Sequence, residues 1–377
     1  MRVGHYQTPI KETRFERVGF FAFYFLLFKN KFSFNITDSF LAASFLTAHF
    51  LTGNNMMSWQ ATLQWQDARQ RAKVLQQIRS FFIARDVVEV ETPLLSQGTI
   101  TDLHLDAFST RYDYLCEGSA SLYMQTSPEF AMKRLLASGY GDIFQLCKAF
   151  RDEAHGSHHN PEFTILEWYR LGFDHFQLMS EVGDLLEQVL ACKPATKISY
   201  QQVFLDKVNI DPLETSTAEL LTLIKAHDKC SDWLLQEQDI DTLLQFVFSE
   251  IIEPEIGLEA PCLVYHFPAS QASLAKISAD DSRVAERFEC YYLGLELANG
   301  FNELTDAEIQ TKRFHQDNAK RLASGKGEKP LDERFICALE HGLPDCAGVA
   351  LGVDRLVMLA LKKDKIKNVL SFAVDQA

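Results

Sequence analysis

Phe150-Arg151-Asp152-Glu153, followed after a short polar stretch by His159-Asn160-Pro161-Glu162-Phe163-Thr164-Ile165-Leu166-Glu167-Trp168-Tyr169, is the passage on which the fold turns. β-prone residues flank a loop rich in turn formers, the pattern of two strands joined by a hairpin. Such a hairpin carries an arginine at one end and aromatic residues on the returning strand. It can clamp a phosphate and stack a purine in one place. Taken alone, an Arg-Asp-Glu run fits a solvated turn equally well.

Two further segments carry the same kind of chemistry. In Gly294-Leu295-Glu296-Leu297-Ala298-Asn299-Gly300-Phe301-Asn302-Glu303-Leu304, Glu296 lies amid apolar residues, where an unpaired charge is costly. It faces either a cation or an arginine, or closes a structural salt bridge. Gly348-Val349-Ala350-Leu351-Gly352-Val353-Asp354-Arg355-Leu356 reads as a glycine-spaced strand running into a helix with Arg355 in its first turn. The glycines allow a ligand close to the backbone, and a helix start favours a phosphate.

Around these segments, residues 67–85 show helical spacing (Val74, Leu75, Ile78, Phe81, Phe82) and feed an extended run, Val87-Val88-Glu89-Val90-Glu91, that stops at Pro93. Strand patterns are expected at 122–126, 143–150, 163–169, 262–266 and 289–297. A helix is expected over 306–323, ahead of a flexible Ser324-Gly325-Lys326-Gly327 turn. Residues 195–255 read as a leucine-rich helical insertion with helices at 216–227 and 242–252. Strands and helices do not alternate regularly, which favours an α+β fold with an antiparallel sheet flanked by helices.

The 377 residues are 47% hydrophobic, enough for a sizeable core, and carry a net charge of −14 with a pI near 5.3. That balance speaks against a broad nucleic-acid footprint. No phosphate loop, dinucleotide fingerprint or H-E-x-x-H helix occurs. Eight cysteines without a C-x-x-C pair read as reduced, mostly buried thiols of a cytoplasmic protein. His155, His158 and His159 read as polar surface.

Residues 1–55 differ from the rest, with 11 of the 29 phenylalanines and six basic against three acidic residues. Lys11, Arg14 and Arg17 before an apolar run imitate a secretory signal, but no small-residue cleavage site follows closely. The run is also short for a membrane span. Met56 and Met57 stand just before the first helical segment, so residues 1–56 are expected to be a non-native or disordered leader and 57–377 the folded domain. The minority alternative is a membrane anchor. Mass spectrometry of the native N-terminus distinguishes them.

The three segments, in order, resemble the signature of class II aminoacyl-tRNA synthetases, and Val90-Glu91-Thr92-Pro93 is similar to the end of that family's dimer-forming first motif. H-N-P-E-F-T with L-E-W-Y, and E-L-A-N-G-F-N-E-L, look most like the lysyl-tRNA enzymes. Only about ten residues separate Met57 from the first helix, leaving no room for their anticodon-binding domain. This shortened form, the segment Tyr265-His266-Phe267-Pro268-Ala269-Ser270-Gln271, and Ala350 in place of a glycine resemble the elongation factor P lysine ligase family.

That resemblance implies ATP-dependent activation of (R)-β-lysine, with Mg²⁺, and transfer to a lysine side chain of elongation factor P by a homodimer, without tRNA or membrane. It implies ATP-binding roles for Arg151, Asp152, Glu153, Asn160, Phe163, Glu296, Leu297, Gly352 and Arg355, of which Arg151, Glu296 and Arg355 are catalytic and Glu296 holds the metal. It places Ser127 and Glu129 near the amino end of the substrate, Tyr169 and Glu303 at the distal ammonium, and Ala350 where β- and α-amino acids differ. Rival readings are a tRNA-charging enzyme without an anticodon domain, a small-molecule ligase resembling asparagine synthetase A, and a non-catalytic amino-acid-binding paralogue.

Overall fold

The computed structural model describes residues 59–115 and 118–377; the 1–56 leader falls outside them. In chain order the elements are α1 (Trp65–Ile83), β1 (Val88–Glu89), β2 (Leu95–Ser96), β3 (Ser109–Leu115), β4 (Gly118–Met124), α2 (Glu129–Ala137), β5 (Ile143–Phe150), β6 (Glu162–Leu171) and α3 (His175–Leu190). There follow β7 (Thr196–Ser199), α4 (Tyr200–Val208), α5 (Thr217–Ala226), α6 (Ile240–Val247), β8 (Cys262–Tyr265), β9 (Arg287–Tyr292) and β10 (Leu295–Asn302). The chain closes with α7 (Ala307–Ala323), α8 (Glu333–Gly342), β11 (Cys346–Gly352) and α9 (Val353–Leu361).

The hairpin read from the sequence is β5 and β6, antiparallel from Ile143 opposite Tyr169 to Phe150 opposite Glu162. It is built into a sheet of order β1-β5-β6-β11-β10-β9-β8-β7, while β2, β4 and β3 form a small second sheet. The antiparallel expectation holds for the six middle strands. Both edges are parallel, β1 on β5 and β7 on β8, because the chain reaches each edge through a long crossover rather than a tight turn.

Side-chain alternation divides the sheet's two faces. Leu166 and Trp168 of β6 and Ala347, Val349 and Leu351 of β11 pack with Phe82, Leu178, Val182 and Leu356 of α1, α3 and α9 in the main core. Their neighbours Glu167, Tyr169, Gly348 and Ala350 alternate onto the other face. In β10 the alternation is interrupted by a bulge between Glu296 and Ala298. Leu297 and Ala298 both pack into the core, so Glu296 and Asn299 come to the same face, which a regular strand would forbid.

Several expectations need correction. The segment 289–297 is not one strand but a hairpin: Leu293 and Gly294 both take positive φ (52° and 74°), the conformation of a two-residue turn with the twist of its flanking strands. The extended run at 87–91 forms a strand only at Val88–Glu89. The 195–255 insertion opens with β7, which extends the sheet, before α4 to α6 pack their own core around Tyr200, Phe204, Leu243 and Phe248. The expected helix at 242–252 ends as an α-helix at Val247 and widens into a π turn over Phe248–Ile252.

α3 goes beyond the elements expected from the sequence: Asp174 and Gln177 form a capping box ahead of Leu178, Met179, Val182, Leu185 and Leu186. The turn at 324–327 is tied down, with Lys326 Nζ donating to Leu103 O at 2.7 Å and to Asp106 Oδ2 at 3.0 Å. Seven cysteines are described and all are free. Cys262, Cys290 and Cys346 are buried, Cys147, Cys192 and Cys230 are half-buried and Cys337 is exposed, a wider spread than expected. Among the described residues no helix is long and apolar enough to cross a membrane.

Candidate active site

On the face opposite the main core lies a cavity of about 510 Å³. It is lined by Arg151, Glu153, Asn160 and Phe163 of the β5–β6 hairpin, by Glu296 and the backbone at Leu297 of β10, and by Ala350, Gly352 and Arg355 of the β11–α9 junction. Ser127 and Glu129, at the start of α2, line it as well. Asp152, Tyr169 and Glu303 do not: Asp152 is exposed, held through its backbone N–H to Asp106 O at 2.8 Å, and the other two are buried behind the wall.

At the arginine end, the Arg151 guanidinium lies 5.1 Å from the centroid of the Phe163 ring, and its buried Nε has no partner among the described residues. Arg355 Nη1 donates to Glu296 O at 2.7 Å and lies 4.0 Å from the Glu296 carboxylate. Its Nη2 lies 2.8 Å from His159 Nε2. Burial, then the Arg355 charge, lower the pKa of His158 and His159, which favours a neutral His159 able to accept from Arg355. Both histidines line the cavity, His159 exposed and His158 half-buried. Asn160 ties the loop: its Nδ2 donates to Glu162 O at 2.6 Å, and its Oδ1 accepts from Val374 N at 3.0 Å.

Beside Glu296 the structure places two residues that sequence reasoning missed, Glu289 and Asn299, paired across β9 and β10. Asn299 Nδ2 donates to Glu289 Oε1 at 3.1 Å, while its buried Oδ1 has no partner among the described residues. Among the described residues no cluster of three or more His, Cys, Asp or Glu forms a ready metal cage. Glu296 and the Asn299 amide oxygen are still hard oxygen donors of the kind a water-bearing divalent cation takes, while the Glu289 carboxylate is already held by Arg287, Tyr291 and Asn299. The hairpin turn at 293–294 creates this pairing, and reading a single strand there hid it.

Behind Ser127 and Glu129 lies a buried ionic cluster. Lys133 Nζ donates to Glu129 Oε1 at 2.6 Å and lies 2.5 Å from Glu303 Oε2. Ser127 Oγ donates to Glu167 Oε2 at 2.6 Å, and Tyr169 Oη donates to Glu167 Oε1 at 2.7 Å. Burial, then repulsion from Glu129, push the Glu167 carboxyl up to about 7. Burial outweighs the pull of Lys133 and, with Glu129, pushes Glu303 up to about 8. Lys133 and Glu167 were not singled out from sequence; the spacing of Glu129 and Lys133 by four on a helix was the available signal.

One cavity thus has a cationic end suited to phosphates and an acidic end suited to ammonium groups. The family model for class II tRNA synthetases (D, K and N) matches residues 50–376. A Salmonella typhi protein named elongation factor P--(R)-β-lysine ligase is 54% identical over 321 residues, 85% of this chain and 98% of the relative. Proteins of that name from Edwardsiella ictaluri and Pectobacterium atrosepticum are each 53% identical, covering 86% and 85% of this chain and 100% and 98% of their own lengths. The chain belongs to the class II tRNA synthetase family and, within it, to the group of the elongation factor P (R)-β-lysine ligases.

Proposed function

We propose that this protein activates (R)-β-lysine with ATP and transfers it to a lysine side chain of elongation factor P. The observation that carries this reading is the two-ended cavity, with Arg151 and Arg355 at one end and Glu129, backed by Glu167 and Glu303, at the other. The names of the three relatives support the choice of substrate and acceptor.

In the first step a substrate carboxylate oxygen bonds to the α-phosphorus of ATP, the bond to pyrophosphate breaks, and an acyl-adenylate remains. The step requires alignment and charge neutralisation rather than a protein nucleophile. Arg151 holds the α-phosphate, Phe163 stacks on the adenine, and Glu153 and the loop around Asn160 bound its edge. Arg355, backed by His159, steadies the distal phosphates. Glu296, with Asn299 positioned by Glu289, would hold Mg²⁺, which supplies charge neutralisation to the departing pyrophosphate. In the second step the neutral amine of the acceptor lysine bonds to the acyl carbon and AMP leaves.

Val88, Leu94 and Leu95 are exposed around the first motif, apolar surface that suits a homodimer. The net charge of −14 suits a basic acceptor loop better than tRNA, and a translation factor as acceptor places the reaction in the cytoplasm. The test offers labelled (R)-β-lysine and ATP together with either elongation factor P or tRNA. Label on elongation factor P supports the proposal, and label on tRNA alone refutes it. ATP–pyrophosphate exchange with Glu303→Gln is a second check. Strong impairment in a folded variant is expected, and normal exchange would remove Glu303 from the site.

A further inference from the structure

The cluster behind Ser127 and Glu129 contains an ammonium of its own. We propose that Lys133 is a positioning residue whose resident charge leaves this pocket two negative charges in surplus, and that a diammonium amino acid binds by driving protons off Glu167 and Glu303. The proposal rests on the functional reading above and adds to it a residue and a proton inventory.

The geometry makes two short chains that begin at the cavity wall. One runs from Glu129 through Lys133 to Glu303, the other from Ser127 through Glu167 to Tyr169. Lys133 is 1% exposed and fixed on α2, so it is not free to swing away when a ligand arrives. With Glu129, Glu167 and Glu303 ionised, three carboxylates meet one ammonium. The two surplus charges equal the two ammonium groups of a lysine-type amino acid.

In the absence of ligand, two uncompensated charges at such depth are expensive, and protons are the cheapest neutraliser. The raised affinity of Glu167 and Glu303 for protons follows from this arrangement, burial acting first in both. The other titratable groups facing the cluster stay silent near neutrality. Burial pushes the Cys147 thiol on β5 and the Cys346 thiol on β11 up to about 12, and raises the Tyr169 phenol well above its ordinary range. Burial opposes the charge on Lys133, but Glu129 and Glu303 more than restore it. The two ammonium groups of the ligand therefore substitute for the protons on the two carboxylates behind the Ser127–Glu129 wall.

Calorimetric titration of the full chain with (R)-β-lysine, and separately with L-lysine, in phosphate and in Tris at pH 7 tests the proposal. The difference in heat should correspond to the release of roughly one to two protons per ligand, falling towards zero at pH 9 where both carboxylates are already ionised. Binding with equal heat in both buffers at pH 7 overturns the proposal while leaving the functional reading intact. No binding of either amino acid, together with no ATP–pyrophosphate exchange, overturns both. Lys133→Met should leave the release near two protons but carry it to higher pH, so that it persists at pH 9 where the wild type releases almost none, and make KM more pH-dependent, with Lys133→Arg restoring the wild-type profile. A purely structural lysine would instead lower the folded fraction and leave the pH dependence of proton release unchanged. Should the methionine variant not fold, the wild-type and arginine titrations still decide the matter.

Discussion

Arg71 Nη2 lies 2.7 Å from Asp354 Oδ1, joining the first helix of the domain to the residue immediately before Arg355. Asp354 Oδ2 also accepts from Thr164 N at 2.7 Å, so one buried carboxylate fixes α1, β6 and the start of α9 together. Arg355 inherits its aim from that junction. Arg71→Ala leaves Asp354 buried without its cation and is expected to destabilise the protein by about 3 kcal/mol. Denaturant unfolding measures that loss, and pyrophosphate exchange should show kcat falling beyond what the folded fraction explains.

Gly348 is the floor on which Tyr169 and Glu303 rest. A Cβ added there would lie 2.2 Å from Tyr169 Cε1 and 2.5 Å from Glu303 Oε1. Neither neighbour can retreat, since both are buried. Gly348→Ala should cost about 1 to 3 kcal/mol of stability. It should also weaken binding of the diammonium substrate more than binding of ATP, as separate equilibrium titrations would show.

Ala350 faces Glu167 across β11–β6 and Asn299 across β10–β11, so its methyl stands between the acidic cluster and the oxygen donors beside Glu296. A single methyl is worth about 1 to 3 kcal/mol of discrimination. Ala350→Gly is expected to raise kcat/KM for α-lysine about tenfold relative to (R)-β-lysine. Unchanged kinetics for both isomers would remove this residue from the selectivity.

The buried acids also set the pH dependence of stability. Glu167 at about 7 and Glu303 at about 8 hold protons in the native state that the unfolded chain has lost above its ordinary carboxyl pKa of 4.5. Their stabilising contribution is full below 4.5 and is lost as the pH rises through 7 and 8. Glu253, pushed to about 7 by burial and by Glu296, acts in the same sense. His175, lowered from 6.5 to about 4 by burial and by His266, acts oppositely, adding stability as the pH rises from 4 to 6.5. Above pH 6.5 the histidine contribution is complete, so the melting temperature of the free protein should fall between pH 6.5 and 8.5. Glu303→Gln should flatten that fall, and a profile rising across the window would contradict the assignment.

How much was legible in the chain depends on how far each interaction reaches. The β5–β6 hairpin, the glycine-spaced β11 and the helix carrying Arg355 were readable because their signals lie within ten residues of one another. Ser127, Glu129, Arg151, Glu296 and Ala350 could be named as a set from the motifs, and all five line one cavity. Glu289 was hidden by a two-residue turn inside an otherwise strand-like run, and Lys133 by looking like any polar helix residue.

By itself the sequence determined the kind of protein this is: an α+β domain whose ordered motifs bring arginines and acids into one family of nucleotide chemistry. Only the tertiary structure decided that Glu296 and Asn299 share a face, through a bulge, and that Lys133 is sealed between Glu129 and Glu303 rather than solvated. The physical reason is that hydrophobic periodicity and turn chemistry are local. The charge state of a buried group is fixed instead by neighbours brought from distant parts of the chain and by the water they exclude.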